Sequence, residues 1–272
     1  MTKSFIKNLK KLLENKRNIT ILPHKNPDGD AIGSCLALNH FLKKLGHNSN
    51  VISPNDYPDF LNWMPGIKNV LKFSSNKFFC EKLINESDIV FTLDFNSLKR
   101  VEILGDLIKK SKSTVVMIDH HENPEDFSKL TYSDPKIAST CEMTYNVLEK
   151  IKVDEIDWKI ASCLYTGIIT DTGSFKFPST SSRTHLIVSR LLEKGINHTE
   201  IHQNIYDNFK KSRISLLSVT LSNLKILNPI NTVYMTLTQK ELKDNNFKKG
   251  DTEGFVNYGL SIKGVLLSII LI

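Results

Sequence analysis

Three acid- and histidine-bearing groups each follow a short apolar run. His24, Asp28 and Asp30 fall together in HKNPDGD, after NITILP. Asp94 closes SDIVFTLD, and Asp119, His120 and His121 close STVVMIDHH. A fourth group, Asp171 in GIITDTGSF, is flanked by small residues that leave space around it. Singly, each has an ordinary explanation. Asn-Pro-Asp-Gly is a good turn, Asp30 is a plausible helix N-cap, Asp94 could be a loop residue and the His pair could lie on the surface. Together they mean something else. Like charges brought together out of water repel and lose hydration, so the convergence of four carboxylates with imidazoles requires a cation. Mixed Asp/His ligation without a thiolate suits Mn²⁺, Fe²⁺, Co²⁺ or Zn²⁺. The donors outnumber what one ion takes, which points to two. Two ions about 3.5–4 Å apart suit the attacking and leaving oxygens of a phosphoryl transfer.

The elements that must position these residues read as α/β. Residues 18–23, 48–53, 87–94 and 113–119 are strand-like, and 31–46, 76–85 and 97–110 are helical by their apolar spacing. Strands apolar on both faces that alternate with helices predict a parallel sheet flanked by helices. Ligands of such sheets sit at the carboxyl ends of the strands, where the acids fall. Helices follow over 138–150, 156–170, 181–194, 198–208 and 212–227. A strand-like run, 231–238, comes after Asn228-Pro229. The expected organisation is 1–215 as the domain with the metal site, 216–230 as a linker, and 231–272 as the start of a smaller α/β domain. The final run, SIKGVLLSIILI, has no cap or charged tail. The second domain is therefore expected to be cut short.

Composition narrows the class. The chain has 272 residues and an apolar content of 40%, enough for a real core. No stretch reaches the 18 apolar residues of a membrane span, and the basic amphipathic N-terminus does not resemble a secretory signal, so a cytoplasmic protein is expected. Cys35, Cys80, Cys141 and Cys163 are scattered without a CxxC and read as structural thiols. The net charge of +7 permits anionic ligands but is spread along the chain. No GxGxxG follows the first strand, which leaves a dinucleotide-cofactor protein unsupported.

HKNPDGDAIGS (24–34), LDFNSLKR (93–100), IDHHENP (118–124), ASTCEM (138–143) and ITDTGSF (169–175) occur in this order. The set resembles the DHH phosphoesterases, within them the DHH/DHHA1 proteins of the oligoribonuclease and pAp phosphatase type. DTEGFVNYGLSIKG (251–264) resembles the start of their second domain. The resemblance implies a cofactor of two divalent ions, Mn²⁺ foremost. One would be held by His24, Asp28 and Asp94, the other by Asp30, Asp94, His120 and Asp171, with Asp94 bridging. It also implies Asp119 as an orienting residue, His121 at the phosphate or leaving group, and Arg100 as a phosphate contact. Ser34, Ser139 and Thr140 read as supporting residues. The implied reaction is hydrolysis of short RNA or of 3′-phosphoadenosine 5′-phosphate (pAp) by metal-bridged hydroxide. No membrane partner is expected, and family members often form homodimers. One departure stands out. The family's second domain carries a glycine-rich GGGH-type motif, and this chain has no Gly-Gly pair. Its substrate site is therefore expected to be incomplete. The alternatives are a manganese pyrophosphatase, a linear or cyclic dinucleotide phosphodiesterase, or a nucleotide-binding remnant without activity.

Overall fold

The computed structural model describes every residue except Lys249. The chain forms two compact units, Met1–Asn204 and Ile205–Ile272.

The first unit is built on six parallel strands. In chain order these are β1 (Asn18–Leu22), β2 (Asn48–Ser53), β3 (Leu71–Lys72), β4 (Ile89–Leu93), β5 (Thr114–Asp119) and β6 (Leu130–Ser133). Their spatial order is β3-β2-β1-β4-β5-β6. The chain thus winds outward from β1 in one direction and from β4 in the other. The carboxyl ends of β1 and β4 flank the switch point, the standard ligand crevice of an open α/β sheet. β4 is buried at every position, and β1 and β5 at all but the first. This matches their unbroken apolar runs.

Helices α1 (Lys3–Leu12), α2 (Gly29–Lys44), α3 (Lys77–Asn85), α4 (Ile103–Lys110), α5 (Thr140–Lys152), α6 (Trp158–Asp171), α7 (Ser182–Leu192) and most of α8 (His198–Tyr206) complete this unit. Cys80 and Ile84 of α3 and Leu104 and Ile108 of α4 pack with Leu22, Val90 and Val115 of the sheet. α2 packs on β1, β2 and β4 and, away from them, on α5 and α6. The α2–α6 approach is close because it is lined with glycine. A Cβ on Gly33 would stand 2.6 Å from the Cys163 carbonyl oxygen, and one on Gly29 would stand 2.6 Å from Thr170 Oγ1.

Several local expectations need correction. The N-cap of α2 is Asp28, whose carboxylate accepts from the N–H groups of Asp30 and Ala31, both at 3.0 Å. Asp30 lies inside the first turn. The helix expected over 97–110 is broken at Glu102, which has φ 51°. Before the break, the Arg100 carbonyl accepts the Lys25 N–H at 2.9 Å rather than serving a helical ladder. The loop that carries His24 is thereby tied to the loop after β4. The helix expected over 212–227 stops at Ser222, because residues 225–227 pair with a strand.

In the second unit, α9 (Lys211–Ser222), β7 (Lys225–Leu227), β8 (Thr232–Thr236), α10 (Gln239–Asp244), α11 (Phe255–Leu260) and β9 (Leu267–Leu271) enclose a small core of Leu216, Leu237, Leu242 and Phe255. β8 lies between an antiparallel β7 and a parallel β9. Arg213 donates to the carbonyls of Gly250, Asp251 and Glu253 and lies over the Phe255 ring. Among the described residues, no helix of either unit is long and apolar enough to cross a membrane.

Candidate metal centre

β1, β4, β5 and the end of α6 deliver their acids and imidazoles to one place. Three overlapping groups have ligand atoms within 4.8 Å of one another: His24, Asp28 and Asp94; Asp30, His120 and Asp171; and Asp94, His120 and His121. Asp94 sits in the middle and turns one oxygen to each side. Oδ2 lies 3.4 Å from His24 Nε2, and Oδ1 lies 3.5 Å from His120 Nε2. Asp28 Oδ2 is 3.8 Å from His24 Nε2, and Asp171 Oδ2 is 3.2 Å from His120 Nε2. Asp94 also has φ 65°, a left-handed backbone that costs a non-glycine residue energy and that concentrates at functional sites.

The imidazoles are prepared as ligands. His24 Nδ1 is 2.8 Å from the Lys25 carbonyl and His120 Nδ1 is 3.3 Å from the Ile137 carbonyl. A carbonyl only accepts, so each Nδ1 carries the hydrogen and each Nε2 faces the carboxylates. A neutral Nε2 presents a lone pair to negative oxygens. That arrangement is unfavourable unless a proton or a metal ion stands between them. The donor set and its orientation therefore fit divalent ions.

Without metal, protons fill the gap. Burial lowers the pKa of His24, but its hydrogen bonds and charge interactions with Asp28 and Asp94 outweigh burial and push it to about 10. His120 is pushed to about 10 in the same way, burial again opposing and Asp171, Asp30 and Asp94 prevailing. Burial also acts against the ionised form of Asp94, yet the hydrogen bond from His24 and the charges of His24, His120 and His121 hold its carboxyl at about 2. Asp171 goes the other way, to about 6, chiefly by burial and despite His120. Burial, then the charges of Asp171 and Asp94, carries Asp30 well above the usual range.

These directions predict a proton-linked metal affinity. The metal-free protein holds protons on His24 and His120 up to about pH 10, whereas ligation needs both Nε2 atoms bare. Affinity should rise with pH up to about 10 and level off above it, with at least the two histidine protons released when both sites fill near neutrality. Calorimetry in buffers of different ionisation enthalpy measures the count. For the metal-free fold the sign is opposite. The histidine contribution is complete below 6.5 and is lost as pH rises through about 10.

The remaining residues divide by role. Asp119 is fully buried and is committed to His121, accepting its backbone N–H at 2.9 Å and its Nδ1–H at 2.7 Å. His121 is therefore a poor metal ligand through Nδ1 and keeps Nε2 for another partner. Asn96, which sequence reasoning passed over, donates to the His121 and Glu122 carbonyls at 3.1 and 2.7 Å and fixes this loop. Its only signal was its place two residues after the strand-end acid. Arg100 is half-buried, and its guanidinium has no ion-pair partner among the described residues. Ser34 donates to the Ala31 carbonyl within its own helix.

Ser139 caps α5. The first N–H groups of that helix clamp Asp30. Thr140 N–H donates to Oδ2 at 2.6 Å and Cys141 N–H to Oδ1 at 2.8 Å. The positive end of a helix thus offsets part of the cost of a fully buried carboxylate. The Thr140 hydroxyl also donates to Asp94 Oδ1 at 2.9 Å, so one residue aligns two carboxylates. Thr140→Val keeps the backbone bond and loses the hydroxyl. It should weaken metal affinity by about tenfold or more, with Thr140→Ser restoring it. Competition against a fluorescent chelator measures this.

The DHH family model, described as its N-terminal domain, matches residues 18–168. The chain belongs to the DHH family. It is 41% identical to an exopolyphosphatase-related protein from Bacteroides fragilis, with a TM-score of 0.96 over 99% of this chain and 81% of that one. It is 33% identical over 67% of its length to the bifunctional oligoribonuclease and PAP phosphatase NrnA of Thermus thermophilus. A probable bifunctional oligoribonuclease and PAP phosphatase NrnA of Streptococcus mutans is 26% identical over 88% of this chain and 72% of that protein. Of the first curated relatives it matches, the chain spans between 52% and 59% of the length.

Proposed function

We propose that this chain is a metal-dependent phosphoesterase that acts on short oligoribonucleotides or on pAp. The observation that carries the reading is Asp94, buried, with one oxygen toward each of two ligand groups. His24, Asp28 and Asp94 would hold one divalent ion, and Asp30, Asp94, His120 and Asp171 the other. Such a pair, with Mn²⁺ the preferred ion, would acidify bound water and offset the negative charge of a phosphoryl group.

The chain's own residues do the rest. Asp119 fixes the His121 tautomer, so that Nε2 is the free ring nitrogen and, once protonated, donates to a phosphate oxygen or to the departing one. Arg100 brings a half-buried guanidinium, without an ion-pair partner among the described residues, that is suited to phosphate. Thr140 and Asn96 hold the carboxylate and the histidine loop in place. The names of the Thermus and Streptococcus relatives support the substrate class. The segment from residue 231 onward is the proposed beginning of a substrate-holding domain.

The test is release of phosphate from pAp and of nucleotide from a trinucleotide RNA, with Mn²⁺ added and with metal chelated. Manganese-dependent release from either supports the reading and ranks the two substrates. Folded, metal-loaded protein that releases nothing from either overturns it.

A further inference from the structure

The chain after Asp171 turns in a way its residue types do not favour. Gly173, Ser174 and Phe175 have φ of 54°, 59° and 69°. These are three consecutive left-handed residues, two of them not glycine and one aromatic. Backbone of this kind persists only where its surroundings over-determine it, and it clusters at ligand sites. Here the Ser174 N–H donates to the Ile169 carbonyl at 2.8 Å and the Phe175 N–H to Thr172 Oγ1 at 3.1 Å. The N–H groups of Lys176 and Phe177 both donate to the Thr172 carbonyl, at 2.9 and 3.0 Å. Thr172 is itself fully buried, and its hydroxyl is given to the Ile168 carbonyl at 2.6 Å.

The result of the turn is the placement of Phe177. A Cβ on Gly173 would stand 2.6 Å from the tip of the Phe177 ring, so the ring rests on the one residue of the turn without a side chain. That floor lies two residues beyond Asp171, and the ring is 40% exposed. Single exposed apolar residues are common and need no explanation. This one is held by a strained turn, on a glycine, beside the metal centre. Its neighbours add ligand character. The Phe175 ring lies 5.2 Å from the exposed His185 ring, and the exposed Lys176 forms no ion pair among the described residues.

We propose that Phe177, seated on Gly173, is a stacking shelf for a nucleobase of the substrate, with Lys176 beside it to meet the adjoining phosphate. This rests on the phosphoesterase reading and assigns the base a place in it. Every base has a π-face, so the shelf favours bases over their absence rather than one base over another.

The experiment compares kcat/KM for pAp with that for the abasic ribose bisphosphate in wild type, Phe177→Ala and Phe177→Tyr. Calorimetric metal stoichiometry serves as the check on folding. The preference for the base-bearing substrate should fall about tenfold in the alanine variant, mainly through KM, and should survive in the tyrosine variant. An unchanged preference in Phe177→Ala overturns the shelf. If wild type cleaves neither compound, the trinucleotide RNA decides the phosphoesterase reading, which falls if that too is left intact. Equilibrium binding of the dinucleotide ApA to metal-loaded protein then decides the shelf. Affinity about tenfold weaker in the alanine variant supports it, whereas equal affinity, or no binding by wild type, sinks it.

Discussion

Asp94→Ala should empty the metal centre and stop hydrolysis together. The carboxylate is 2% exposed and lies between the Nε2 atoms of His24 and His120, with one oxygen facing each. Among the described residues, no other takes part in both the His24–Asp28 group and a His120 group. Loss of several kcal/mol of charge stabilisation corresponds to a rate deficit on the order of a thousandfold or more. Asp94→Asn separates charge from shape. It keeps the volume and one oxygen, so one side retains an acceptor while the other faces an amide. Metal titration should give weak binding at both sites for alanine and residual binding at one for asparagine. Two tightly bound ions in Asp94→Ala, or full activity, would sink the bridging assignment.

The centre was legible in sequence because its parts obey a local rule. In a parallel sheet, the residues that end its buried strands lie along one edge, and His24, Asp94 and Asp119 each follow an apolar run too plain to misplace. Asp171 was legible only through its small neighbours and the family resemblance, since it ends a helix rather than a strand. What escaped were features that depend on partners distant in sequence. Asp30 looks like a cap, and nothing local reveals that α5, more than a hundred residues later, clamps it with two N–H groups. Leu71–Lys72 and Leu130–Ser133 are strands because an edge was available to pair with, not because their residues demand it. At 225–227, pairing with β8 overrides an apolar run that continues the helix pattern. The left-handed turn at 173–175 was invisible for the same reason, because serine and phenylalanine give no hint of positive φ.

The second large effect belongs to a residue with no chemistry of its own. Gly167 faces α2 at the level of Asp30. A Cβ there would stand 2.6 Å from Asp30 Oδ1 and 2.9 Å from Asp30 Cα, and would press on the Cys141 sulfur as well. None of these yields easily. Asp30 and Cys141 are fully buried, and the carboxylate is gripped on both oxygens by α5. Gly167→Ala must therefore push α6 away from α2, which carries Asp171 away from Asp30 and His120. The overpacking should cost about 1–3 kcal/mol, seen as a lower urea midpoint. The displaced Asp171 should lower the affinity of the site it shares with Asp30 and His120, while the His24–Asp28 site keeps its ligands in place. Adding Cys141→Ala removes the sulfur from the clash but leaves Asp30, so it should recover part of the stability and little of the metal affinity. If Gly167→Ala binds both ions as wild type does, then the closeness of α2 and α6 is a packing feature alone and does not set the geometry of the centre.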